Sequence, residues 1–207
     1  MTIIEKESVL DIYNKISGHF DNTRHFIWPS VKTFLEEIPK YSIVADIGCG
    51  NGKNMEYLYQ DHIFIGFDFS IELLNICSKK KLETINANNC SIPIKDNSFD
   101  SSISIAVIHH LSTEALRLQA INEILRITKP NGLIMIQVWA FEREYSTKYP
   151  TQDSFIPWKS KGDIYYRYYY LFKENELDEL IHKSSYDTEI IKSSKERDNY
   201  ILIITKK

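Results

Sequence analysis

The run Asp46-Ile47-Gly48-Cys49-Gly50-Asn51-Gly52 sets an acidic residue ahead of glycines spaced G-x-G-x-G. Glycine tolerates positive φ and lets backbone approach a ligand where a side chain would clash. A dinucleotide fingerprint would instead read G-x-G-x-x-G, with pyrophosphate on the helix N-terminus. Further on, Asp68 closes an apolar run, and a carboxylate there can accept hydrogen bonds from both hydroxyls of a ribose. Arg24, Arg167 and Arg197 carry planar guanidinium groups that can grip a carboxylate or phosphate bidentately. His109-His110 follows the fourth apolar run, at the edge where open α/β sheets bind ligands. On a strand, adjacent histidines would point to opposite faces, so a shared metal is not expected, and His109 is favoured for the site.

Aromatic residues Tyr13, Trp139, Trp158, Tyr168 and Tyr169 can stack on an unpaired base, although a chain that is 13% aromatic buries most of them in its core. Cys49 sits inside the glycine turn rather than beside a base, and Lys79-Lys80-Lys81 reads as a solvated helix end.

The elements that hold these residues follow from periodicity. Val9, Ile12, Tyr13 and Ile16 share one helical face, and a second helix runs from Pro29 to the stop at Pro39. Ser42 to Ile47 is a buried strand turning into a helix at the glycines, and Ile63 to Phe67 is a second strand, with Ser70 as N-cap of the helix after it. Glu83 to Asn86 and Phe99 to Val107 make a weak third and a stronger fourth strand. A helix through Leu116 to Leu125 and a turn at Lys129 to Gly132 lead to a fifth strand, Leu133 to Trp139. The stretch 141–165 is irregular and aromatic and reads as an inserted substrate loop. A helix around Glu174 to His182 and strands at Thr188 to Ser193 and Asn199 to Thr205 end the chain. This alternation predicts an α/β fold, a doubly wound, mostly parallel seven-stranded sheet with N-terminal helices over residues 1–40, all in one domain spanning 1–207.

The 207 residues suit one buried core, and 43% hydrophobic with 26% charged residues is ordinary for a globular protein. The acidic start and the lack of a long apolar run predict no signal peptide and no membrane association, and hence a cytoplasmic or nuclear location. Three cysteines without a C-x-x-C pair suggest neither disulfides nor a zinc site, and no metal is expected. A net charge of -3 argues against broad nucleic-acid binding, so any RNA contact is local or shared with a partner.

The glycine turn resembles motif I of S-adenosylmethionine methyltransferases, and the acidic Asp68 strengthens that likeness. Together with Ser104-Ile105-Ala106-Val107-Ile108-His109-His110-Leu111-Ser112-Thr113, Gln152-Asp153, Pro157-Trp158 and Tyr166-Arg167-Tyr168-Tyr169, it resembles one family across nearly the whole chain. These are the tRNA 5-carboxymethyluridine methyltransferases, which esterify the carboxymethyl group on wobble uridine. The resemblance implies S-adenosyl-L-methionine as cofactor, with Tyr13, Asp46, Gly48, Gly50, Gly52, Asp68, Phe69, Ser70 and Ala106 around it. Asn88 takes the place of the family's aspartate for the adenine amine, with Asn89 as the fallback. Arg24, His109, Arg167 and Arg197 would bind the substrate, and Arg24 can alternatively hold the cofactor's own carboxylate. The implied partners are a tRNA anticodon stem-loop and a small zinc-binding activator subunit that forms a heterodimer. Two other readings stay open: a small-molecule methyltransferase, and an inactive cofactor-binding regulatory subunit.

Overall fold

The computed structural model describes residues 2–142 and 149–207. Two short turns, α1 (Ile3–Glu5) and a π-helical turn (Lys6–Leu10), lead into α2 (Asp11–Thr23), and α3 (Pro29–Glu37) follows with its proline in the first turn. The sheet then begins with β1 (Ile43–Ile47), α4 (Lys53–Tyr57), β2 (Ile63–Asp68), α5 (Ile71–Lys79) and β3 (Thr84–Asn86). β4 (Phe99–Ile105), a 3₁₀ turn (Ile108–His110), α6 (Glu114–Ile127) and β5 (Thr128–Trp139) come next. A hairpin of β6 (Asp153–Ser160) and β7 (Asp163–Tyr170) precedes α7 (Glu176–His182), β8 (Thr188–Glu196) and β9 (Asn199–Lys206).

The strand order is β3-β2-β1-β4-β5-β9-β8, a seven-stranded sheet in which β9 runs antiparallel to β5 and β8 and the other pairs are parallel. The chain winds outward from β1 to β3 and then returns to β4 on the other side of β1. The loops after β1 and β4 therefore diverge, which opens a crevice at the carboxyl ends of those two strands.

Period-two alternation feeds both faces of the sheet. Ala45, Ile134 and Ile136 pack with Ile121, Ile124 and Leu125 of α6, whereas Val44, Ile103 and Met135 pack with Phe34 and Leu35 of α3 and Leu74 of α5. Local capping fixes where the helices start. Ser70 accepts from the Leu73 amide and Thr113 from the Leu116 amide, each cap contributing about 1 kcal/mol.

The stretch expected to be an irregular loop over 141–165 is in large part the β6–β7 hairpin, and only its residues 143–148 lie outside the described residues. Pro157 is accommodated in β6 because the hairpin is a separate two-stranded sheet, where proline is tolerated. Its base is tied to the end of β5 through Phe141 N–H to the Phe172 carbonyl and Phe172 N–H to the Trp139 carbonyl.

Gly52 initiates α4 at φ 77°, and a Cβ there would stand 2.3 Å from Leu82 Cδ1 and 3.1 Å from Cys77 Sγ. Gly52→Ala should lower stability by about 1–3 kcal/mol through left-handed strain and crowding. Urea unfolding should show a lower midpoint with an unchanged slope, and an unchanged midpoint would contradict the packing role.

Candidate active site

A cavity of about 600 Å³ fills the crevice, within the size range of cofactor and substrate sites. Its floor is the turn after β1. Gly48 takes φ 75°, and a Cβ on it would lie 2.3 Å from Val107 Cγ2, so the backbone there passes directly beneath the loop after β4. Ala106, in that loop, also has positive φ (62°) and is held by its N–H to the Gln137 carbonyl at 2.8 Å. Left-handed backbone in a non-glycine residue is uncommon and concentrates at functional sites.

Asp68 joins the two sides of the floor. It is buried, its Oδ2 accepts from the Gly50 amide at 2.9 Å, and its Oδ1 accepts from the Ser70 amide at 2.8 Å. Each oxygen keeps a further lone pair for a ribose hydroxyl. Burial raises its carboxyl to about 6, and the amides of Ser70 and Gly50 pull against that rise.

Several residues expected to touch the cofactor stand behind the wall instead. Asp46 is fully buried beneath the glycine turn, neither carboxylate oxygen has a hydrogen-bond partner, and burial raises its carboxyl to about 7. Gly52 serves the packing of α4, and Ser70 caps α5 while donating its hydroxyl to Asn14 Oδ1 at 2.7 Å. Asn88 reaches the cavity, but its Oδ1 accepts from the Cys90 amide at 2.9 Å in an Asx turn. Asn89 also lines the wall, with a buried Oδ1 that no protein donor meets. Tyr13, Gly48, Gly50, Asp68, Phe69 and Ala106 do line the cavity.

The opposite wall is cationic and aromatic. Arg24, Lys53, Arg167 and Arg197 line it, against the carboxylates of Glu5 and Asp68. Arg167 is 4% exposed, donates from Nη1 to the Tyr13 hydroxyl at 3.2 Å, and has no partner at Nε. Its guanidinium stacks 4.6 Å from the Trp158 ring and 5.1 Å from Tyr169, and Arg24 lies 4.8 Å from the same Trp158 ring. Trp158 is held by its Nε1–H to His19 Nδ1 at 3.0 Å. Arg197, at φ 51° in the β8–β9 turn, is exposed at the mouth. Tyr168 points away from the cavity, its hydroxyl bonded to Asp153.

His110, not His109, is the imidazole in the cavity wall. The pair lies in the 3₁₀ turn after β4 rather than on a strand, so strand alternation does not apply. His109 is fully buried, accepts from the Trp139 amide at 3.2 Å, and stacks on Tyr169.

Lys53, Phe20 and Phe26 were not anticipated. Lys53 follows the glycine turn directly, and burial together with Arg24 lowers its ammonium. Its position immediately after G-x-G-x-G was the available signal.

Comparison with known proteins gives this geometry a family. A profile described as a methyltransferase domain matches residues 45–136. The tRNA (carboxymethyluridine(34)-5-O)-methyltransferase of Schizosaccharomyces pombe is 35% identical over 226 residues, covering 98% of this chain and 97% of that protein. The chain belongs to the tRNA carboxymethyluridine methyltransferase family. The Xenopus tropicalis member is 31% identical over 98% of this chain, but the chain spans only 41% of that protein's length. Among solved structures, a methyltransferase in complex with the Haloferax volcanii Trm112 methyltransferase activator has the same fold, with TM-score 0.72 at 15% identity over 98% of this chain and 96% of that one. S-adenosylmethionine is the methyl donor of the family. The residues present fit it: backbone without side chains at Gly48 and Gly50, a buried carboxylate at Asp68 whose oxygens keep lone pairs suited to ribose hydroxyls, and cations suited to its carboxylate.

Because Asp68 accepts best when ionised, cofactor affinity should weaken as pH falls through about 6. The sign follows from the raised value, since protonation converts an acceptor-only carboxylate into a carboxylic acid. Asp68→Asn should bind more weakly at neutral pH and lose this pH dependence, as read by isothermal titration. It should also lose some stability, because its amide group would face two backbone N–H donors with one acceptor oxygen. A pH-independent affinity in the unsubstituted protein would move the ribose contact elsewhere.

Proposed function

We propose that this chain esterifies the carboxymethyl group of 5-carboxymethyluridine at the tRNA wobble position, giving 5-methoxycarbonylmethyluridine. The observation that carries the reading is Arg167, a buried guanidinium in the cavity wall with an unpartnered Nε and no carboxylate within ion-pair distance among the described residues. A buried cation without a counter-ion is costly, and an anionic substrate relieves that cost. When bound, S-adenosylmethionine supplies a sulfonium methyl group for displacement by a carboxylate oxygen.

A carboxylate is already ionised at neutral pH, so the chain need supply no base. The wall agrees with this, since both nitrogens of His110 are engaged. Arg167 can hold the carboxylate bidentately, Trp139 lines the cavity with its ring stacked on the buried Tyr169, and Arg24, Lys53 and Arg197 can meet the cofactor's carboxylate or RNA phosphates. Catalysis here is placement of two reactants in one cavity.

The net charge of -3 gives little general attraction for tRNA. A small zinc-binding activator protein, paired with this chain as a heterodimer, would supply further surface for the anticodon stem-loop. The complex of the Haloferax volcanii neighbour with an activator supports this pairing.

Transfer of labelled methyl to tRNA carrying carboxymethyluridine should give a label that mild base removes, because an ester hydrolyses where a ring or ribose methyl does not. Base-stable label would overturn the esterification. Transfer to small carboxylic acids alone would favour a small-molecule enzyme, and cofactor binding without any transfer would favour a regulatory subunit. Arg167→Met should lower kcat/KM by about ten- to a hundredfold, chiefly through KM, while Arg167→Lys, which keeps charge without the fork, loses less. Loss of cofactor affinity in Arg167→Met would instead make it a cofactor ligand.

A further inference from the structure

The imidazole of His110 is 8% exposed and lies in the cavity wall, yet the esterification gives it no proton to move. Its Nδ1 lies 2.7 Å from the Tyr168 carbonyl oxygen, which can only accept, so Nδ1 carries the hydrogen. Its Nε2 lies 3.0 Å from the Tyr13 hydroxyl. Burial and the adjacent Arg167 charge lower this imidazole to about 3, so it is neutral and Nε2 is a bare acceptor. Tyr13 must then donate to His110, which leaves only lone pairs on its oxygen for Arg167 Nη1 at 3.2 Å. The direction of every hydrogen in the chain is thereby determined, from a backbone carbonyl to a guanidinium.

We infer that His110 is a positioning residue whose fixed Nδ1–H tautomer, acting through the Tyr13 hydroxyl, sets the orientation in which the Arg167 guanidinium presents its remaining N–H groups to the substrate carboxylate. The inference rests on the reading of Arg167 as the carboxylate anchor. Two features make the relay selective. Were the tautomer reversed, Nε2–H would compete with Arg167 for the Tyr13 oxygen, and the Tyr168 carbonyl would lose its donor. Were His110 charged, it would add a second cation beside a guanidinium that is already buried. The titratable and charged groups packed around it are Tyr13 from α2, Tyr168, Tyr169 and Arg167 from β7, and His109 from its own turn. None of them is an acid that would favour the imidazolium.

The first test needs no substrate. Nitrogen-15 resonances of the His110 ring in the full chain, followed over about pH 5 to 8 where free histidine titrates, should show protonated Nδ1, bare Nε2 and no titration. An Nε2-protonated ring, or an imidazolium appearing in that range, overturns the relay. The second test uses an anticodon stem-loop bearing carboxymethyluridine. His110→Leu and Tyr13→Phe should each raise its KM by about tenfold, with kcat changed less and the cofactor dissociation constant of His110→Leu within about twofold of the unsubstituted protein. Because the two act in series, the double variant should lose no more than the worse single one. His110→Gln, which can return an acceptor to Tyr13, should recover part of the loss. Additive losses, no rise in KM, or a defect confined to cofactor binding would each overturn the proposal. Should the unsubstituted chain form no ester, the proposed function fails, and the ring tautomer still decides whether the relay exists.

Discussion

The Asp68 carboxylate is the point on which the cavity depends. One oxygen takes the Gly50 amide from the turn after β1 and the other takes the Ser70 amide at the start of α5, so a single side chain clamps the turns that follow β1 and β2. The Gly48 and Cys49 amides add bonds to the Phe67 carbonyl next door. With Cys49 packed in the core and Asn51 bonded to Asp21, the clamp holds the amide of Gly50, between them, in place. The same burial that makes the clamp firm raises the carboxyl to about 6, so the group that shapes the site is also responsive to mild acid.

Enclosure comes from elements outside the sheet. Asn51, in the glycine turn, donates to Asp21 Oδ1 at 2.8 Å and to the Arg24 carbonyl at 3.2 Å, while Lys80 bridges Asp21 and Glu56. Asn14 meets Ser70, and Glu5 accepts from the Thr2 and Ser112 amides. These bonds lay α2 and the turns before it across the crevice. From the other side the β6–β7 hairpin brings Trp158, Arg167 and Tyr169, so that Trp158 stands between two guanidinium groups as a shared electron-rich face.

The sheet was legible because strand and helix periods alternate cleanly from Ser42 to Trp139, and Asp68 was legible because it closes a short apolar run after an acidic glycine turn. Side-chain direction was not. Asp46, Gly52 and Ser70 have the expected types at the expected places, but each serves the framework, since which way a residue faces at a strand end depends on the neighbouring strand. His109 was preferred on the assumption of continued strand alternation, and a 3₁₀ turn exchanges the roles of the two rings. The hairpin was hidden because a proline and a lysine-rich turn interrupt a run of aromatic residues whose β-forming character was the better guide. Asn88 commits its Oδ1 to an Asx turn that spacing alone does not reveal.

The contacts that complete the substrate wall are far apart in the chain: Tyr13 to Arg167 spans 154 residues and His19 to Trp158 spans 139. Those on the cofactor floor are close, with Gly50 and Asp68 18 residues apart. Closing a long loop carries a larger entropy cost, and non-local contacts form slowly. The floor formed by the β1–β2 unit therefore closes at a lower entropy cost than the wall that joins the hairpin to α2. Thermal opening that began at the hairpin would break these long-range contacts while leaving the β1–β2 turn in place. A chain opened in this way would keep its grip on cofactor while its substrate surface came and went.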